Sequence, residues 1–237
     1  MRRLFFFVNL LVIPLLSGWV VYRRLATPPT DVGPFDYFKL ALQWPPSICS
    51  HGVPEECPNN FTIHGLWPDN FTGPFQEFCN NRSRYIRMRG RLLEQMQSNW
   101  PDIINHRDQS YWEYQWSKYG TCALLSVRQV QYFNLALNGK DRYNFLGYFG
   151  SQGITPGPSS HYPDSLIRKK VKSLTSKSPD LYCEEHIDEH EEKRLTLHEV
   201  RYCFGPNGEI DCPAKRSSRS CSGDIYFPSE EHLFHFS

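Results

Sequence analysis

Residues Phe61 to Asp69, reading Phe-Thr-Ile-His-Gly-Leu-Trp-Pro-Asp, set a histidine, an indole and a carboxylate within six positions. An imidazole titrates near neutral pH, so His64 can take up or release a proton under working conditions. The β-branched and aromatic residues around it favour a strand. Strict alternation puts Thr62, His64 and Leu66 on one face and Ile63, Gly65 and Trp67 on the other. Pro68 is expected to stop that strand. Taken alone, a histidine on such a segment is more often a satisfied structural residue than a catalyst, so its meaning depends on partners elsewhere in the chain.

A second dense group lies between Ser110 and Gly120. Ser110 with Glu113 three residues later reads as a capping box, in which hydroxyl and carboxylate each satisfy an orphaned backbone N–H. Gly120 suits the left-handed position just past a helix end. Within the helix so bounded, Tyr111, Gln115, Lys118 and Tyr119 share one side and Trp112 with Trp116 an adjacent stripe.

The elements that must hold these groups begin with Phe35 to Trp44, which alternates as a strand and ends at Pro45. Ser83 to Trp100 reads as a helix, with Met88, Leu92 and Met96 at four-residue intervals. Its opposite side carries Arg84, Arg87 and Arg91, with Arg82 and Arg89 nearby. These could contact phosphates or an acidic partner surface, or form a solvated basic face. Further helices are expected over Val127 to Asn138, ended by Gly139, over Arg142 to Phe149, and over Ser165 to Leu174. Glu184 to Lys193 reads as a solvated acidic turn, and His186 with His190 as part of it rather than as metal ligands. Arg194 to Phe204 reads as a strand, Pro206 to Gly208 as a hairpin turn, and Ile225 to Pro228 as an edge strand.

The 237 residues suffice for one well-buried domain, and 40% hydrophobic content supports a folded core. Residues 1 to 24 stand apart: Arg2 and Arg3 precede an apolar run that ends at Arg23 and Arg24. This is the order of a secretory signal peptide, and also long enough for an uncleaved membrane anchor. A linker over 25 to 34 and a single domain over 35 to 237 follow. Removing the four leader arginines leaves 22 basic against 25 acidic residues, a net of −3, so nucleic-acid affinity must come from local patches. Eight cysteines and no Cys-x-x-Cys pair point to four disulfides in a secreted, extracellular protein, with the pairing open. Asn60, Asn70 and Asn81 head glycosylation sequons around the first motif.

The chain resembles the T2 ribonucleases, most closely the plant self-incompatibility ribonucleases. The resemblance rests on Leu42-Gln43-Trp44-Pro45, on Phe61 to Pro68, on Trp112-Glu113-x-x-Trp116-x-Lys118-x-Gly120-Thr121-Cys122, and on the order of the cysteines. It implies an α+β fold, an antiparallel β-sheet packed by several helices, with disulfides Cys49–Cys57, Cys79–Cys122, Cys183–Cys221 and Cys203–Cys212. It also implies a monomer that needs no cofactor or metal and cleaves RNA through a 2′,3′-cyclic phosphate. That reaction takes a base for the 2′ proton, an acid for the leaving oxygen and positive charge on the phosphorane. Carried over, His64 is one of the two catalytic histidines, Lys118 the cationic stabiliser, Trp67 and Asp69 the base-binding residues, and Gln43 a residue lining the site.

The chain departs from the family pattern where the second catalytic histidine is expected, because Tyr119 occupies that position and Gln115 replaces an acidic residue. A tyrosine is almost wholly protonated at neutral pH and is a poor base. Three expectations compete: an active ribonuclease using another base such as His106, a weakened or inactive relative that still binds RNA or a protein partner, and a structural or storage glycoprotein.

Overall fold

A computed structural model of the chain describes residues 33–49, 57–187, 193–213 and 219–229. The leader 1 to 24, most of the linker 25 to 34, and His190 lie outside the described residues, as does the His186 side chain. The sheet is built on β1 (Tyr37–Gln43), which pairs antiparallel on one side with β2 (Thr62–Asp69) and on the other with the long β5 (Lys193–Gly205). Strand β3 (His161–Pro163), β4 (Asp180–Ile187), β6 (Gly208–Ile210) and β7 (Asp224–Tyr226) complete it. Its main order is β2-β1-β5-β7-β3, with β4 and β6 also paired to β5. Every residue of β1 is buried, as befits a strand flanked on both edges.

Helices cover the sheet: α1 (Pro45–Cys49), α2 (Gly90–Asn99), α3 (Asp108–Lys118), α4 (Gln129–Arg142), α5 (Phe145–Ser151) and α6 (Asp164–Thr175). Tyr132, Phe133 and Ala136 of α4 share the core with Leu40, Ile63 and Leu66 of the sheet and with Trp100, Trp112 and Trp116. The buried indoles are hydrogen-bonded rather than merely packed: Trp112 Nε1 donates to the Trp100 carbonyl at 2.7 Å, and Trp44 Nε1 to the Pro228 carbonyl at 2.8 Å. The disulfides are Cys49–Cys57, Cys79–Cys122, Cys183–Cys221 and Cys203–Cys212.

Several boundaries differ from the sequence expectation. Strand β2 runs through Pro68 to Asp69, since proline lacks only the donor and the strand lies at the sheet edge. Helix α2 starts at Gly90, whose φ of 57° together with extended Arg89 prevents a helix from continuing back to Ser83. Helix α3 starts at Asp108, so Ser110 lies inside its first turn and forms no capping box. Gly120 does not occupy a left-handed cap. It opens a 3₁₀ turn (Gly120–Ala123) pressed against Trp116, where a Cβ would sit 2.2 Å from the indole. Helix α4 passes through Gly139, which lets it approach the sheet: a Cβ there would lie 2.7 Å from Leu40. The stretch Glu184 to Ile187 belongs to β4 rather than to a turn, and β7 lies between β5 and β3 rather than at an edge.

Candidate active site

A β-bulge determines where His64 points. In the β1–β2 ladder Ala41 faces Gly65 and Leu42 faces Ile63, so His64 has no partner residue and the alternation breaks there. Ile63 and Leu66 both enter the core, whereas His64 turns to the side occupied by Trp67, with ring centroids 5.4 Å apart. Strict alternation would have separated those two side chains. The His64 carbonyl is held from behind by Tyr111 Oη at 2.7 Å and Trp100 Nε1 at 3.1 Å. These two bonds fix the bulged peptide against α3 and the C-terminal cap of α2.

The imidazole is fixed too. His64 Nδ1 lies 2.5 Å from Glu199 Oε1, while the other carboxylate oxygen accepts from Arg201 Nε at 2.5 Å. Arg201 reaches Asp180 at 3.5 Å, and Lys39 reaches the same Asp180 oxygen at 3.0 Å. The Glu199 side chain is 1% exposed and that of His64 37%, so the carboxylate forms a buried floor and the imidazole the accessible surface. Burial alone would raise the Glu199 pKa, but the charges and hydrogen bonds of His64 and Arg201 outweigh it and pull the carboxyl down to about 2. With Nδ1 committed to Glu199, His64 Nε2 is the nitrogen left for chemistry.

Glu199 and Arg201 were not singled out from the sequence. Their signal was present: opposite charges two residues apart fall on one face of a strand, between Leu197 and Cys203 on that face.

The second group arrives from the C-terminus of α3. Tyr119 caps that helix and lies against Trp67 with centroids 5.7 Å apart, so His64 and Tyr119 border the same indole. Burial raises the Tyr119 pKa, and the hydrogen bond and charge of Lys118 only partly offset this. Lys118 Nζ sits 5.1 Å from the Tyr119 ring centre, donates to Tyr114 Oη at 3.1 Å and pairs with Glu77 at 3.2 Å. The Tyr114 bond leads the effects that hold its pKa above the usual lysine range, against partial burial, and Tyr119 and Glu77 add to it. Lys118 is therefore a cation at any working pH.

Gln115 is 2% exposed and meets the site at Gly65. A Cβ on Gly65 would lie 2.3 Å from Trp67 Nε1 and 2.9 Å from Gln115 Oε1, so only glycine lets the three groups converge. The remaining expected residues lie around this cluster rather than in it. Gln43 sits opposite Glu199 in the β1–β5 ladder and donates to Thr62 at 3.1 Å. Asp69 is 2% exposed, with Oδ2 accepting from Tyr37 Oη and Oδ1 from the Asn70 amide, both at 2.8 Å. His106 is exposed in the turn before α3, at the opposite end of that helix from Tyr119. Asn60 and Asn81 are exposed, and Asn70 is half-buried.

This cluster offers one accessible imidazole braced by a carboxylate, one persistent cation, and an indole between the imidazole and a phenol. The family model for the ribonuclease T2 family matches residues 35–212, which span both groups and most of the sheet. The chain belongs to the ribonuclease T2 family. It is 37% identical over 217 residues to Ribonuclease S-2 of Solanum tuberosum, covering 86% of this chain and 90% of that relative. Ribonuclease S-6 of Nicotiana alata is 33% identical over 91% of this chain and 99% of its own length. Among solved structures, the Nicotiana alata SF11-RNase associated with gametophytic self-incompatibility superposes with a TM-score of 0.72 at 30% identity, over 82% of this chain and all of that one. A variant of RNase MC1 in complex with 5′-GMP superposes with a TM-score of 0.71 at 30% identity, over 82% of this chain and all of that one. Membership in the T2 family carries the α+β fold and four disulfides described above.

Proposed function

We propose that this protein is a secreted T2-type glycoprotein that binds RNA and cleaves it weakly, because one of the two proton-transfer groups of the reaction is absent. The observation that carries the proposal is Tyr119. It stands across Trp67 from His64, where the resemblance places the second histidine, and its half-buried phenol has a raised pKa. A neutral phenol can donate a hydrogen bond to a phosphate but cannot accept the 2′ proton at neutral pH. His64 Nε2 then acts as the single proton-transfer group and Lys118 supplies the charge. Loss of a positioned general base or acid costs about 10²–10⁴-fold in rate.

RNA as the ligand is supported by family membership and by relatives solved with 5′-GMP and 5′-AMP. Export is supported by the apolar leader, the four disulfides and the exposed sequons at Asn60 and Asn81.

The test is single-turnover cleavage of a defined RNA by wild type and by Tyr119→His, reading the 2′,3′-cyclic phosphate ends. We expect the variant to be faster by one hundredfold or more. A wild type that already matches the variant sinks the weakened-site proposal. A second reading, a recognition protein without turnover, is favoured by the Glu77 and Tyr114 contacts that occupy Lys118 and by exposed Phe75 and Phe78, which lie against Tyr119 and Tyr114. It predicts no cyclic phosphate from wild type at any enzyme concentration.

A further inference from the structure

The segment from Phe78 to Arg91 carries five arginines, at positions 82, 84, 87, 89 and 91, and all five are exposed. Among the described residues none of them forms an ion pair. The segment is not helical before Gly90, and its backbone is held by side chains of distant elements. Ile86 N donates to Gln129 Oε1 at 2.9 Å, and Gln129 Nε2 donates back to the Ile86 carbonyl at 2.7 Å. Gln109 treats Met88 alike, accepting from its amide at 3.1 Å and donating to its carbonyl at 3.0 Å, and it also accepts from Tyr85 Oη at 2.8 Å. Each glutamine thus does what a neighbouring strand would do. The inward residues Tyr85 and Met88 anchor the segment while the guanidinium groups face water.

The course of the segment gives this display a direction. It begins at the reactive end of α3, where Phe78 N donates to the Lys118 carbonyl at 2.8 Å and Cys79 is bonded to Cys122. It then passes Trp116, whose Nε1 donates to the Ser83 carbonyl, and reaches Gln109 near the start of the helix. The contacts from Trp116 to Gln109 cover ~10 Å of helix at 1.5 Å per residue. At its head, exposed Phe78 and Tyr114 lie with ring centroids 6.4 Å apart.

We infer that Arg82 to Arg91 form a track for the phosphodiester backbone of single-stranded RNA, leading away from His64 and Lys118 along α3. This rests on the RNA-binding part of the proposed function and extends it from the reacting phosphate to the strand beyond. Unpaired guanidinium groups recognise phosphates with bidentate hydrogen bonds. Cations beside exposed ring faces are the combination by which proteins hold single strands. An acidic protein surface would also suit arginine. The continuity of the segment with the Lys118 end of the site favours the polymer whose cleavage the site resembles.

The test uses 2′-O-methyl RNA, which lacks the attacking hydroxyl and so is bound without being cut. Affinities of a dinucleotide and of a strand of about 12 nucleotides are measured against salt for wild type and for a variant with Arg82, Arg84, Arg87, Arg89 and Arg91 all changed to Gln. We expect the long strand to lose tenfold or more at low salt in the variant. Its log–log salt slope should fall by ~0.7 for each phosphate contact removed, while dinucleotide affinity stays the same. A variant with Lys169, Lys170 and Lys172 of α6 changed to Gln should keep the wild-type preference for length.

If both variants lose affinity equally per charge removed, a general field is at work and the track is overturned. It is also overturned if the five-arginine variant binds the long strand as wild type does, or if it loses only binding to polyglutamate. Wild type that binds neither oligonucleotide overturns the ribonuclease proposal itself, an outcome distinct from the failure of the track.

Discussion

Glu199 shows how one buried carboxylate joins the stability of the fold to the geometry of its chemistry. It holds His64 through Nδ1 and Arg201 through Nε, and it is fully desolvated. Removing one partner of a wholly buried ion pair costs about 3–5 kcal/mol, and removing Glu199 costs less, because the His64 ring is accessible and Arg201 keeps Asp180. Glu199→Gln should therefore shift the urea midpoint downward by a corresponding amount and free the imidazole to rotate.

The acid limb carries the same signature. A carboxyl lowered from 4.5 to about 2 by folding stabilises the native state fully above pH 4.5 and loses that contribution as the pH falls toward 2. At about 1.4 kcal/mol per tenfold change in proton affinity, the loss amounts to about 3 kcal/mol. Thermal melts of wild type should fall across that window, and those of Glu199→Gln should start lower and fall less. Parallel acid limbs in the two proteins would show that Glu199 is not the linked group. None of this was legible around His64 itself, because the partner lies 135 residues away on β5.

Elements were legible in the sequence where local pattern and tertiary context agree. The strand containing His64, the helix ending at Lys118 with Tyr119 as its cap, and the Pro206 to Gly208 turn all form, although the strand runs on through Pro68 and the helix starts two residues early. One cause of failure is a tertiary contact that overrides a local period. Met88, Leu92 and Met96 do recur every four residues. Yet Met88 is satisfied by Gln109 and Ile86 by Gln129, so the chain need not form helix hydrogen bonds before Gly90. The His64 bulge is a different case: Gly65 beside it is the kind of residue that marks a bulge or a close approach inside a strand, and strict alternation passes over that local signal.

The clamp makes a prediction at this scale. Gln129→Ala removes both bonds to Ile86, at about 0.5–1.5 kcal/mol net for each. Amide hydrogen exchange at Ile86 should accelerate by tenfold or more while the amides of α2 retain their protection. Unchanged exchange at Ile86 would mean that the segment is held by its anchors Tyr85 and Met88 alone.

At the scale of the whole molecule, the disulfides divide by the span of chain they close. Cys49–Cys57 and Cys203–Cys212 close loops with separations of 8 and 9, whereas Cys79–Cys122 and Cys183–Cys221 close 43 and 38. Loop-closure entropy assigns about 4 kcal/mol to a span near 43 residues and about 2.5 kcal/mol to one near 9. The long bridge at Cys79 does more than lengthen a loop. It joins the segment after β2 to the 3₁₀ turn that follows Tyr119, so it closes the gap between the two halves of the site.

Replacing Cys79 and Cys122 by alanine should therefore lower stability more than replacing Cys203 and Cys212, by about 1.5 kcal/mol in urea titrations. Only the first pair should also weaken nucleotide binding, because only it tethers Phe78 and Lys118 to one another's neighbourhood. Equal losses of stability, with binding untouched in both, would mean that α3 is held in place by its indole packing. The tryptophans of α3 and Tyr132 of α4 would then position the site without help from the bridge.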